Sequence, residues 1–166
     1  MQAGIAGGAT AILVPERPFD VAEVARIVTR RHDRGRYASV VVVAEGARPV
    51  PGTLEMPEPP LDRYGRPMHG DVAHVIAPAL SRLTGYESRV VQLGHLQRGG
   101  TPTAYDRVLS TRFGLAAVDA VRDGAWGEMV VLRCGRIERA SMRETRGVTR
   151  TVDLELFEDV AGAFFG

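Results

Sequence analysis

Short apolar runs rich in β-branched residues alternate along this chain with longer stretches in which apolar positions recur every three or four residues. That alternation predicts an α/β domain in three layers, a largely parallel sheet flanked by helices. Thr10 to Val14 reads as a buried strand stopped by Pro15. Asp20 is placed to cap a helix in which Glu23 completes a capping box and Val21, Val24, Ala25 and Val28 share one face. Arg30 and Arg31 suit the negative end of that helix. Val40 to Val43 is apolar without interruption and predicts a central strand buried on both faces, with Glu45 just past its C-terminal end. From Arg48 to Met68 the pattern breaks. Five prolines lie between Pro49 and Pro60, and the stretch reads as a long loop inside one domain of residues 1–166. Helical periodicity resumes from Asp71 to Leu83, where Pro78 predicts a kink or a late start. Arg89 to Leu93 reads as a third strand, Thr103 to Val121 as the longest helix with Leu109, Phe113, Ala116, Ala117 and Ala120 on one face, and Met129 to Leu132 as a fourth strand. A mixed tail follows, with a short helix expected from Leu154 to Phe164.

Composition narrows the class. A chain of 166 residues is long enough for one hydrophobic core. Its 21 basic and 20 acidic residues give a net charge of +1, so bulk charge supplies no argument for nucleic-acid binding. Every basic residue is Arg, a usage that a GC-rich genome explains as readily as function does. Cys134 is the single cysteine, which excludes intrachain disulfides and a cysteine metal cluster and favours a reducing compartment. The four histidines, His32, His69, His74 and His95, lack the paired spacing of a zinc site, so no metal ligands are expected. The N-terminal stretch has no basic region ahead of a sustained apolar run, and no window has the apolar length to cross a bilayer. A soluble, cytoplasmic protein is expected.

The chemistry concentrates in RVVQLGHLQRGGTPTAYDR, residues 89–107. A helix N-terminus preceded by Gly99 and Gly100 offers backbone N–H groups and a positive dipole end to an anion. Arg89, His95 and Arg98 add two guanidinium forks and an imidazole, the donors that a phosphomonoester needs. Ligands of open α/β sheets sit outside the carboxyl ends of the strands, where His95 and Glu45 both fall, whereas Arg89 falls at the opposite end and should serve a different site. On spacing alone, an ordinary strand-loop-helix connection with solvated arginines explains the segment equally well.

The same segment resembles the 6-phosphofructokinase signature of Arg, four residues, Gly-His, one residue, Gln-Arg-Gly-Gly, five residues and Asp-Arg. Arg89, Gly94, His95, Gln97, Arg98, Gly99, Gly100, Asp106 and Arg107 fill every fixed position. AGIAGGATAILVPE, VVVVAEG, VLSTRFG and the terminal AFFG also match, with an actinobacterial flavour, as the C-terminal half of the catalytic subunit. The resemblance implies an acceptor site for fructose 6-phosphate in which Glu45 hydrogen-bonds ring hydroxyls and His95 and Arg98 hold the 6-phosphate. It implies that Arg89 reaches into a neighbouring subunit's site, hence a homo-oligomer. Glu16, Arg34 and Arg36 fall where some bacterial relatives bind a nucleoside diphosphate or phosphoenolpyruvate effector; a strand-end acid and a solvated basic turn are the plain alternative.

The resemblance also says what is absent. The family's Gly-Gly-Asp phosphate loop, its Thr-x-Asp-x-Asp segment with the catalytic base, and its Met-Gly-Arg strand precede the region represented here. Without lysine, no Walker-type loop can replace them. Magnesium and ATP, or pyrophosphate, are expected for the intact enzyme but not from residues of this chain, which carries no catalytic residue. A partner is therefore expected, either the missing N-terminal half or a separate subunit carrying it, and the region after Arg107 should expose apolar surface without it. A non-catalytic sugar-phosphate-binding or regulatory module is the alternative function. An unrelated sugar-phosphate isomerase domain would leave the signature unexplained.

Overall fold

The computed structural model describes residues 1–58, 60–65, 72–145, 147 and 149–162. In chain order its regular elements are α1 (Gln2–Ala6), β1 (Ala11–Leu13), α2 (Val21–Asp33), β2 (Val41–Val43), α3 (Val72–Thr84), α4 (Ala104–Arg122), β3 (Glu128–Arg133), β4 (Arg136–Ser141) and α5 (Leu154–Leu156). They divide into two compact units, one formed by Met1–Val91 with Thr151–Gly166 and the other by Gln92–Arg150.

In the first unit β1 and β2 pair in parallel, Ala11 opposite Val41 and Leu13 opposite Val43, and α2 provides the crossover that a parallel pair requires. Side chains alternate across a strand, so Ala11 and Leu13 face one way and Ile12 and Val14 the other. Both faces are filled. Against the first pack Val21, Val24 and Ala25 of α2 with Val72, Ile76, Ala79 and Leu80 of α3. Against the second pack Ala9 and Phe157, with Met1, Ile5 and Val152 at the margin. The result is the expected order of helix, sheet and helix. Thr10, itself buried, accepts from the amide of Val40 and fixes where β2 begins.

Local signals explain the helix ends. Asp20 caps α2 by accepting from the amide of Ala22 at 2.8 Å. Glu23 lies in the first turn but returns no bond to the Asp20 backbone, so the expected reciprocal box is a single cap. α3 runs continuously through Pro78, and its expected first residue, Asp71, lies outside the described residues. The long stretch after Arg48 forms no helix or extended strand among its described residues, as its prolines predict. α5 continues into a wide helical turn over Phe157–Ala161; Phe164 lies outside the described residues.

Two strand expectations need correction. β2 is half-buried along its length rather than enclosed, because among the described residues it pairs with β1 alone. Arg89 to Leu93 forms no strand: the chain from Gly85 to Leu93 has no regular structure, and Val91 is 76% exposed. Among the described residues no strand pairs with it, and the chain leading into it is tied back to the end of α3, the Tyr86 amide donating to the hydroxyl of Thr84 and the Ser88 amide to that of Ser81.

The second unit is α4 beside an antiparallel hairpin of β3 and β4. Leu109, Phe113, Ala116 and Ala120 lie on the half-buried face of α4, whereas Ala117 is exposed. β4 lay unrecognised in the mixed tail. The signal was the two-residue connection Cys134-Gly135, both with positive φ (47° and 79°), which the tight turn of a hairpin demands. Cysteine in place of the usual Asn or Asp hid it.

Candidate functional site

Glu45 stands in the turn that follows β2, at the carboxyl edge of the parallel pair, and is exposed. The turn is fixed at both ends: the Ala44 amide donates to the Leu13 carbonyl at 2.9 Å and the Ala47 amide to the Ala44 carbonyl at 2.9 Å. This is the ligand-facing edge of an open α/β sheet.

His95 and Arg98 sit on a single 3-10 turn, Gly94–Arg98, rather than at the end of a strand. In a 3-10 turn, side chains three residues apart eclipse one another, so His95 and Arg98 project from the same side. Backbone bonds from Leu96 to Leu93 (2.9 Å) and from Gly99 to Leu96 (3.0 Å) close the turn, while Gly94 (φ 47°) and Gly100 (φ 102°) supply the left-handed backbone on either side. All of these residues are exposed. A guanidinium fork and an imidazole on one side of a turn are donors of the kind a phosphate takes.

The start of α4 behaves differently from the open anion site the sequence suggests. Thr103 and Asp106 form a reciprocal capping box: the Asp106 amide donates to Thr103 Oγ1, and Asp106 Oδ2 accepts from the Thr103 amide at 2.8 Å and hydroxyl at 2.7 Å. The hydroxyl bond, followed by the amide bond, holds the Asp106 carboxyl below its ordinary range. A carboxylate therefore already occupies the positive end of the helix. The Arg107 Nε donates to the Pro102 carbonyl and braces the preceding loop. Asp106 and Arg107 thus act on loop shape. The box was legible as Thr-x-x-Asp.

Arg89 is exposed, and its Nε donates to Glu87 at 3.1 Å. It lines a cleft of about 260 Å³ with Tyr86, His32, Val41 and Val43. His32 stacks on Tyr86 at 4.1 Å between ring centres. Since the strand is not formed, the expectation that Arg89 marks its far end loses its geometric basis. Glu16 and the pair Arg34 and Arg36 stand at opposite ends of α2, a helix about 20 Å long. Arg34 and Arg36 are exposed, whereas the Glu16 carboxylate accepts from the Val152 amide. Among the described residues no three His, Cys, Asp or Glu side chains converge as a metal cage would, and no helix is long and apolar enough to cross a membrane.

Comparison with known proteins agrees with the signature. The phosphofructokinase family model matches residues 1–121. The whole chain is 51% identical to the pyrophosphate--fructose 6-phosphate 1-phosphotransferase of Amycolatopsis methanolica and 48% identical to that of Streptomyces coelicolor, spanning 48% of each relative. It is 45% identical, again over 48% of the relative, to the ATP-dependent 6-phosphofructokinase of Mycobacterium bovis. The chain thus spans about half the length of these curated relatives and belongs to the phosphofructokinase family.

Proposed function

We propose that this chain is the acceptor-binding portion of a 6-phosphofructokinase that converts fructose 6-phosphate to fructose 1,6-bisphosphate in glycolysis. The observation that carries the reading is the complete signature segment with two of its hydrogen-bond donors, His95 and Arg98, on one side of a 3-10 turn. In this proposal Arg98 binds the 6-phosphate through its guanidinium fork, His95 donates a further hydrogen bond, and Glu45 accepts from ring hydroxyls. Arg89 serves the site of a neighbouring copy. Phosphoryl transfer depends almost wholly on positioning and charge stabilisation around the transferred group. The donor, its magnesium and the base that takes the sugar proton belong to the remaining half of the relatives' polypeptide. Relatives named for pyrophosphate and for ATP both match the full chain, so either donor fits.

Arg34 and Arg36 are the basic end, and Glu16 the acidic end, of an effector site in the same proposal. Their separation by the length of α2 favours an effector shared between copies of the chain. Unchanged affinity for phosphoenolpyruvate or a nucleoside diphosphate in Arg34→Ala and Arg36→Ala would count against it.

Titration of the chain with fructose 6-phosphate tests the acceptor site. Arg98→Ala should weaken binding by about tenfold or more, the loss of a charge-assisted bidentate contact. Equal binding by wild type and variant overturns the assignment. A kinase assay of the pure chain with fructose 6-phosphate and ATP or pyrophosphate should show no turnover.

A further inference from the structure

β1 and β2 end side by side, and the turns that follow them touch. The Ala44 amide bonds the Leu13 carbonyl, and Gly46 lies so close to Pro15 that a Cβ there would stand 3.2 Å from the proline Cγ. The next residue, Glu16, reaches the other way. Its Oε1 accepts from the Val152 amide at 3.0 Å, and its Oε2 is buried with no hydrogen-bond partner among the described residues. Arg17 pairs with Glu158 and lies over the ring of Phe157, its Cζ 6.0 Å from the centroid. Phe157 is 1% exposed and anchors the second face of the sheet with Ile12 and Val14. A continuous line of contacts therefore runs from the C-terminal segment through Glu16 and Pro15 to Gly46, beside Glu45.

A carboxylate oxygen buried without a donor is unfavourable, and such a group in a folded chain calls for a reason. A side chain that served only as a surface cap could turn both oxygens to water. We propose that Glu16 is a positioning residue for Glu45: by gripping Val152 it holds the Pro15–Arg17 turn against the C-terminal segment, and Pro15 in turn sets the backbone of the Glu45 turn. This rests on the reading of Glu45 as a sugar-hydroxyl contact. Gly46 is part of the device, because a side chain there would push the two turns apart.

The test is a double-mutant cycle on the full chain, read by titration with fructose 6-phosphate and separately with inorganic phosphate. Glu16→Ala should weaken fructose 6-phosphate binding about fivefold to tenfold, a usual size for coupling between sites, and leave inorganic phosphate unchanged. Glu16→Gln keeps an acceptor for Val152 and should restore most of the affinity. Glu16→Ala with Glu45→Ala should bind no more weakly than Glu45→Ala alone. Losses that multiply in the double variant, or an equal loss for inorganic phosphate, overturn the proposal. Hydrogen exchange separates it from the substrate reading. Glu16→Ala should accelerate exchange at the Ala44 and Ala47 amides together with Val152, by about tenfold. If Glu45→Ala binds fructose 6-phosphate normally, or the chain binds neither ligand, the role of Glu45 fails while this readout still decides that of Glu16. Faster exchange at Val152 with Ala44 and Ala47 unchanged refutes the coupling.

Discussion

The two compact units differ sharply in how they bury apolar surface. Around β1 and β2 the sheet is closed on both faces by two clusters of buried side chains. In residues 92–150, Ala140 is the one buried apolar side chain among those described, while Leu96, Tyr105, Val108, Leu115, Val118 and Trp126 are exposed. The family signature runs into the second unit, with His95 and Arg98 on its opening turn. The residues with the strongest functional resemblance thus stand on the part with the least core, while Glu45 stands on the part with the most. Apolar exposure of this extent is more than a helix left to water usually carries, and the chain spans about half the length of its relatives.

The largest effect that would sharpen this contrast is a cavity in the first unit. Phe157→Ala should lower unfolding stability by about 3–5 kcal/mol, and Ile76→Ala by about 2–5 kcal/mol, in denaturant titration. Leu115→Ala on α4 should cost under about 0.5 kcal/mol, as for an exposed position. Comparable losses in both units would break the comparison. Next, the exposed face of α4 should make the chain self-associate. Sedimentation should show mass rising with concentration, and Leu115→Glu with Val118→Glu should reduce it; a monomer at all concentrations contradicts this expectation.

A smaller effect concerns the start of α4. Thr103→Ala should cost about 1 kcal/mol of local helix stability, seen as faster amide exchange in its first turns. Asp106 is held below its ordinary range in the folded chain, so its contribution is fully present above the unfolded value and is lost as pH falls through the folded one. Protection of the first turn should therefore weaken below about pH 4, and that dependence should flatten in Thr103→Ala. The smallest effect is at Arg89, whose pair with Glu87 is exposed on both sides. Arg89→Ala should change stability by under about 0.5 kcal/mol.

Periodicity made the first unit legible because burial there enforces it. Ala11 to Val14 alternate between two filled faces, Asp20 caps α2, and Val21, Val24 and Ala25 are buried together. The second unit was less legible for the same reason. Val90 to Leu93, where the first unit passes into the second, look like a strand, but composition cannot show whether an edge is available for pairing, and among the described residues no strand pairs with them. The hairpin of β3 and β4 was half visible, its turn disguised by Cys134. At the candidate site the residue types were readable and their geometry was not. Gly94 turns His95 and Arg98 into one 3-10 turn, and the Thr103–Asp106 box fills the helix end that glycines alone seemed to leave open.

The central claim is that the chain carries an acceptor-phosphate site at His95 and Arg98. Calorimetric titration of the intact chain with fructose 6-phosphate, compared with Arg98→Ala, tests it most directly. The account predicts saturable binding that falls at least about tenfold in the variant. Binding of equal strength in both would contradict it.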